Sequence, residues 1–380
     1  MSDAASDLPD HDPSGEVPDR PLRRGWTTGT CAAGAAKAAF AALVTGAFPD
    51  PVEVALPGGT RPAFALARHE RTQESATAGI VKDAGDDPDV THGALVLATV
   101  RRGPPGAGVT FRAGAGVGTV TRPGLPVPPG EPAINPVPRR MIAENIAEVA
   151  QAAGVAADAE VEIAIADGAR LALKTLNPRL GIVGGLSVLG TTGIVVPYSC
   201  AAWIHSIHRG IDVARAMGLT HVAGATGDAS ERAVQALHGL SEVALIDMGD
   251  FVGGMLKYIR AHPVAQVSVA GGVAKMTKLA QGRLDLHSKR GSADLPALAD
   301  LALAAGAQEE LAARIGAAHM VAEAFQIAGA AGFPLGDAVA RAAWVTAARA
   351  LDRADVRLEV VVFDRDGTLM GRAPFAPSLA

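Results

Sequence analysis

SEVALIDMGDFVGGMLKYIRAH (241–262) followed by QVSVAGGVAKMTKLAQ (266–281) decides the fold. Each stretch is a short apolar, β-branched run, then a glycine-bearing turn, then an amphipathic run of helical period. LTHVAGATGDAS (219–230) has the same order, and so does LSVLGTTG (186–193) ahead of SCAAWIHSIHRGIDVARAM (199–217). Strand, glycine loop and helix in succession, with short connections, signal a parallel sheet covered by helices. The rhythm predicts a Rossmann-like three-layer α/β domain over 181–380, ending in an alanine-rich helical portion (295–352) and a last strand, VRLEVVVF (356–363).

Upstream the grammar changes. WTTGT (26–30) supplies N-capping hydroxyls for an alanine-rich helix that Gly46 closes. The runs VEVAL (52–56), ALVLATV (94–100) and GVTFRAG (108–114) are separated by turn signals and predict antiparallel sheet. A proline-rich connection (121–141) is long enough to be a binding loop, and a helix over 141–152 and a strand at VEIAIADG (161–168) follow. Residues 21–180 are therefore expected to form an α+β domain. The acidic, proline-bearing residues 1–20 are expected to be a disordered tail.

Composition narrows the function. A net charge of −5 and 4% aromatic residues give neither a polycationic surface nor a base-stacking platform, so nucleic acid is not an expected partner. Two cysteines, Cys31 and Cys200, make no disulfide framework and no CxxC zinc spacing, which fits a cytoplasmic protein without its own metal. Residues 180–204 lack charge over a membrane-spanning length, but their glycines and Pro197 fit strand and turn better than a spanning helix. A homo-oligomer remains open.

In an open parallel sheet, ligands sit beyond the carboxyl ends of the strands. That rule selects residues 190–193, 224–228, 247–250 and 270–272. One such turn alone is ordinary strand–helix punctuation; four on one edge point to a ligand. Gly224, Gly227, Gly271 and Gly272 let backbone approach it, while Asp228, Asp247 and Asp250 suit ribose hydroxyls or a sulfonium. FDRDGT (363–368) has the look of a haloacid dehalogenase phosphatase motif, yet it stands at the end of the chain, with no α/β domain after it to supply the remaining groups.

RRGWTTGTCAAGAAKAA (23–39), VTRPGLPVPPGEPAINPVPRRMI (120–142), GIVGGLSVLGTTGIVVPYS (181–199), GDFVGGMLKYIR (249–260) and GGVAKMTKLAQGRLDLHS (271–288) together resemble the CbiD family. Long blocks in this order are far more specific than a single glycine motif. The resemblance implies transfer of a methyl group from S-adenosylmethionine to C1 of cobalt-precorrin-5B, giving cobalt-precorrin-6A in anaerobic-type cobalamin biosynthesis. Cobalt then travels with the substrate. The acetate and propionate arms of such a corrinoid call for cations and hydroxyls. These are expected from Arg139, Arg140, Lys275 and Lys278, with Thr27, Thr28, Thr191 and Thr192, and His287 is the candidate base. The competing readings are a corrinoid carrier without catalysis and a nicotinamide-dependent oxidoreductase. The second lacks the GxGxxG-plus-acid fingerprint.

Overall fold

The computed structural model describes residues 21–288 and 291–378. The expected disordered tail at 1–20 lies outside the described residues. The chain is mixed α/β and divides into two compact units, Pro21–Leu219 and, for the rest of the described chain, Thr220–Ala380.

The first unit is organised by helix α1 (Thr28–Thr45). Thr27 caps it, its hydroxyl accepting the Thr30 amide at 3.2 Å, and Gly46 ends it in a left-handed conformation at φ 91°. Residues 28–43 of this helix are all buried. Only small side chains allow such close packing on every side: a Cβ on Gly34 would lie 2.7 Å from Ile80 Cδ1 and 2.9 Å from Val54 Cγ2. Lys37 escapes the core by donating from Nζ to the Glu53 carbonyl at 2.8 Å.

Against α1 lies a five-stranded sheet of β1 (Arg68–Arg71), β2 (Ser75–Val81), β3 (Leu95–Arg102), β4 (Val109–Ala113) and, after the helix described next, β5 (Ala159–Ile165). Their spatial order is β1-β2-β3-β5-β4. All pairs are antiparallel except β5 with β4. Val96, Ala98 and Val100 stand opposite Ile165, Ile163 and Val161 and bury one face, the alternation expected of a one-sided antiparallel sheet. Helix α2 spans Pro136–Ala153, so it begins five residues before the predicted start at 141. Proline costs nothing in a first turn, where its missing N–H would be unpaired anyway.

Two expectations are corrected here. The boundary falls after Leu219, not 180, because residues 181–195 spend their backbone hydrogen bonds on the first unit. Ile182 pairs with Val120, Leu186 with Val117 and Ile194 with Trp26. Helix α3 (Cys200–Ala216) also belongs to the first unit, where the backbone of Gly124 packs against Asp212 and Val213.

In the second unit β6 (His221–Ala225), α4 (Asp228–His238), β7 (Leu245–Asp247), α5 (Val252–Ala261), β8 (Gln266–Gly272) and α6 (Val273–Ala280) follow the predicted rhythm. Three helices, α7 (Leu295–Ala304), α8 (Glu309–Gly316) and α9 (Val321–Ala330), precede the longer α10 (Leu335–Leu351) and then β9 (Arg357–Phe363). A final strand, β10 (Leu369–Pro377), was not legible in the sequence. Its prolines suit only an edge, and the pairing with β9 is antiparallel and irregular. The sheet order is β7-β6-β8-β9-β10, with the first four strands parallel. Helix α4 covers the face bearing Ala223, Ala270, Val361 and Phe363. Val267, Val269, Val360 and Val362 alternate with that face and point the other way.

Candidate functional site

The carboxyl ends of β6, β7 and β8 gather three of the four predicted loops. Thr226 donates its amide to the Ala270 carbonyl at 3.1 Å, tying the first loop to the third. A Cβ on Gly271 would stand 2.8 Å from Thr226 Oγ1, and one on Gly224 would stand 2.2 Å from Met255 Sδ, so both glycines serve close packing beneath the edge. Gly227 and Gly272 differ: nothing lies within 4 Å of where their Cβ atoms would be. They leave open space beside the first turns of α4 and α6. Asp228 is exposed in the first turn of α4, where the helix dipole favours a carboxylate.

Asp250 is already engaged. Its carboxylate pairs with Lys275 Nζ, and its carbonyl accepts the Leu286 amide at 2.9 Å. Asp247, at the end of β7, is half-buried. Lys278 turns inward, donating to the Leu286 carbonyl at 3.0 Å, and burial together with the nearby Lys275 lowers its pKa below the usual lysine value. His287 is half-buried, and its amide binds Asp285 at 3.1 Å. Lys289 and Arg290, the end of the basic segment, fall outside the described residues.

The fourth loop is not on this edge, which corrects the sequence expectation. Residues 190–193 lie in the first unit against the start of α1. A Cβ on Gly190 would collide with Thr27 at 2.3 Å, and the Gly193 carbonyl accepts both the Thr27 amide (3.1 Å) and the Thr30 hydroxyl (2.7 Å). The two threonine-glycine motifs therefore pack on each other. Thr27 and Thr28 are buried, while Thr191 and Thr192 are exposed. Arg139 braces the proline-rich loop, donating to the Ile134 and Pro132 carbonyls at 2.8 and 3.0 Å and to Glu131 at 3.1 Å. Arg140 is exposed near Glu144. Burial pushes the Cys31 thiol up to about 12, so it is an inert core residue.

Sequence reasoning passed over two clusters. In KDAGDDPDVTH (82–92) the fully buried Lys82 binds Asp89 at 2.5 Å, and Asp87, its pKa raised by burial, accepts the Tyr198 amide at 2.9 Å. In the second unit Glu359, wholly buried, accepts from His238 Nε2 at 2.7 Å, from the Ser268 hydroxyl at 2.8 Å and from Arg372 Nε at 2.6 Å. The signal for the latter was a single acid inside the apolar run VRLEVVVF. Asp364 of the phosphatase-like motif accepts the Asp366 and Thr368 amides at 2.9 and 2.8 Å, closing the β9–β10 turn. Among the described residues no three metal-binding side chains converge, and no helix is long and apolar enough to cross a membrane.

Fold and loops thus define a two-unit α/β protein whose second unit carries glycine-bearing loops at the carboxyl ends of its parallel strands. The CbiD family model matches residues 16–197 and the model for its C-terminal domain matches 285–374; the chain belongs to the CbiD family. It is 66% identical to the cobalt-precorrin-5B C(1)-methyltransferase of Agrobacterium fabrum, over 96% of each chain. With the enzyme of the same name from Bradyrhizobium sp. the identity is 65%, over 93% of this chain and 94% of that one. Among solved structures, the cobalamin biosynthesis protein (cbiD) from Archaeoglobus fulgidus is 27% identical, covering 71% of this chain and 83% of the other, with a TM-score of 0.38.

Proposed function

We propose that this chain methylates C1 of cobalt-precorrin-5B, using S-adenosylmethionine, to give cobalt-precorrin-6A in a cytoplasmic, anaerobic-type route to cobalamin. The observation that carries this is the 66% identity, over 96% of each chain, with a protein named for that reaction. The Rossmann-like reading of the second unit is supported by its strand order, second-first-third-fourth-fifth, one of the two common doubly wound orders. In that order the chain reverses direction between β6 and β8, where the Gly227 and Gly272 loops lie.

The methyl donor supplies an electrophilic methyl on a sulfonium. What the protein contributes is alignment and exclusion of water. The open backbone at Gly227 and Gly272 fits a nucleoside approaching the edge, with Gly224 and Gly271 packed below it. Ribose hydroxyls are assigned to Asp228, exposed in the first turn of α4, and Asp247, at the end of β7. Asp250 acts through Lys275, fixing the loop rather than gripping the ligand. The corrinoid arms are assigned to Thr191, Thr192 and Arg140, which are exposed. Thr27, Thr28 and Arg139 hold that surface in shape, and Lys278 shapes the 250–286 contact. His287 stays the candidate base.

Purified protein incubated with cobalt-precorrin-5B and S-adenosylmethionine is expected to yield a product heavier by one methyl group. An unchanged mass, with calorimetry showing corrinoid binding but no donor binding, would instead make the chain a carrier.

A further inference from the structure

The FDRDGT turn, unused by the reaction as read so far, borders a cavity of about 450 Å³ at the carboxyl end of β9. Its walls are Ala229, Arg232 and Ala233 of α4 and Arg365, Asp366 and Gly367 of the turn. The cavity adjoins the first candidate loop, because Ala229 follows Asp228 directly. Arg232 makes no ion pair or side-chain hydrogen bond with any described residue. Arg365 leans on Asp366 at 4.0 Å with both side chains largely in solvent, a contact of little energy that a ligand can replace. Gly367, at φ 82°, lies against the alanines and keeps the wall smooth: its Cβ would meet Ala233 Cβ at 3.5 Å.

Two guanidinium groups and one carboxylate around one small cavity complement an α-amino acid. The guanidiniums take its carboxylate in the paired geometry that planar forks favour, and the aspartate takes its ammonium. A phosphate would face Asp366 as a like charge, and a bare dicarboxylate would leave that acid unpaired. We propose that this cavity holds the amino-acid end of the methyl donor. The assignment rests on the reading above, in which the nucleoside lies at the Gly227 and Asp247 loops. From β6 to β9 is two strand spacings, about 10 Å. The donor then lies across the edge, its sulfonium over the open backbone at Gly272.

The test compares two ligands that share a nucleoside and a thioether, S-adenosylhomocysteine and 5′-methylthioadenosine, the second lacking the amino-acid end. Calorimetry on the full chain is expected to show S-adenosylhomocysteine binding at least about tenfold tighter. In the Arg232→Ala, Arg365→Ala double variant that preference should vanish while 5′-methylthioadenosine binds as in the parent. Asp366→Asn should remove part of it. A double variant that keeps the full preference overturns the cavity assignment and leaves the donor reading standing, as does one that weakens both ligands equally, or a parent without any preference. A parent that binds neither ligand overturns the donor reading itself.

Discussion

In Pro21–Leu219 the most deeply buried element is a helix, α1, whereas in Thr220–Ala380 it is a pair of neighbouring strands, β8 and β9. The two burials ask for different side chains. A helix enclosed on all sides presents residues in every direction, so alanine and glycine are needed to let the sheet and α2 approach. Its one long polar residue, Lys37, must reach out to a carbonyl. Parallel strands present only two faces, and each has room for large β-branched residues. One of those faces also accommodates a charge, because Glu359 meets donors from three different elements: His238 on α4, Ser268 on β8 and Arg372 on β10. The first unit thus depends on the absence of volume and the second on the completeness of a polar network.

Removing Glu359 should produce the largest effect. Glu359→Ala strands the His238 ring N–H, the Ser268 hydroxyl and the Arg372 guanidinium under α4, a loss at the lower end of about 3–5 kcal/mol since Arg372 can rehydrate. Denaturant unfolding that shows under about 1 kcal/mol would mean the network is ornamental to stability. The matching lesion in the first unit is added volume: Gly34→Leu forces side chain into Ile80 and Val54 and should cost about 1–3 kcal/mol by the same assay.

Acid should separate the units through His221. Its ring nitrogen bonds the Ser268 hydroxyl at 2.9 Å, and burial, then the neighbouring His238, hold its pKa down to about 4 against the pull of Glu359. The unfolded chain takes up that proton near pH 6.5 and the folded chain only near 4. The contribution is therefore complete above 6.5 and is lost as pH falls toward 4. Unfolding measured at pH 7 and pH 4.5 should show a larger drop for the parent than for His221→Gln; equal drops would remove His221 as the cause.

The smallest expected effect is at Asp364. An asparagine oxygen can accept the same two turn amides, so Asp364→Asn should change stability by less than about 1 kcal/mol and leave methylation at the parent rate. Abolished turnover would bring back the aspartyl-nucleophile reading of that motif.

Much of the second unit was legible because each strand, loop and helix there is a local pattern. Apolar runs of five to seven residues end in glycine turns, and capping and period mark the helices that follow. The start of α1 and the one-sided strands β3 and β5 were legible for the same reason. Three of the four loops expected at the carboxyl edge followed from strand direction alone, and the fourth, 190–193, did not. What the sequence did not reveal depends on partners distant along the chain. Residues 181–195 form two-residue strands whose owner is fixed by hydrogen bonds to Trp26, Val117 and Val120. An isolated pair of residues carries no periodicity. Likewise a charge in the sequence does not say what it touches: only the tertiary structure turns Lys278 inward, joins Asp250 to Lys275, and sets Arg232 beside Arg365 on one cavity. Secondary structure and strand direction are set by neighbours within a few residues, whereas the unit boundary and the roles of the charges are set by contacts that close only when the sheets assemble.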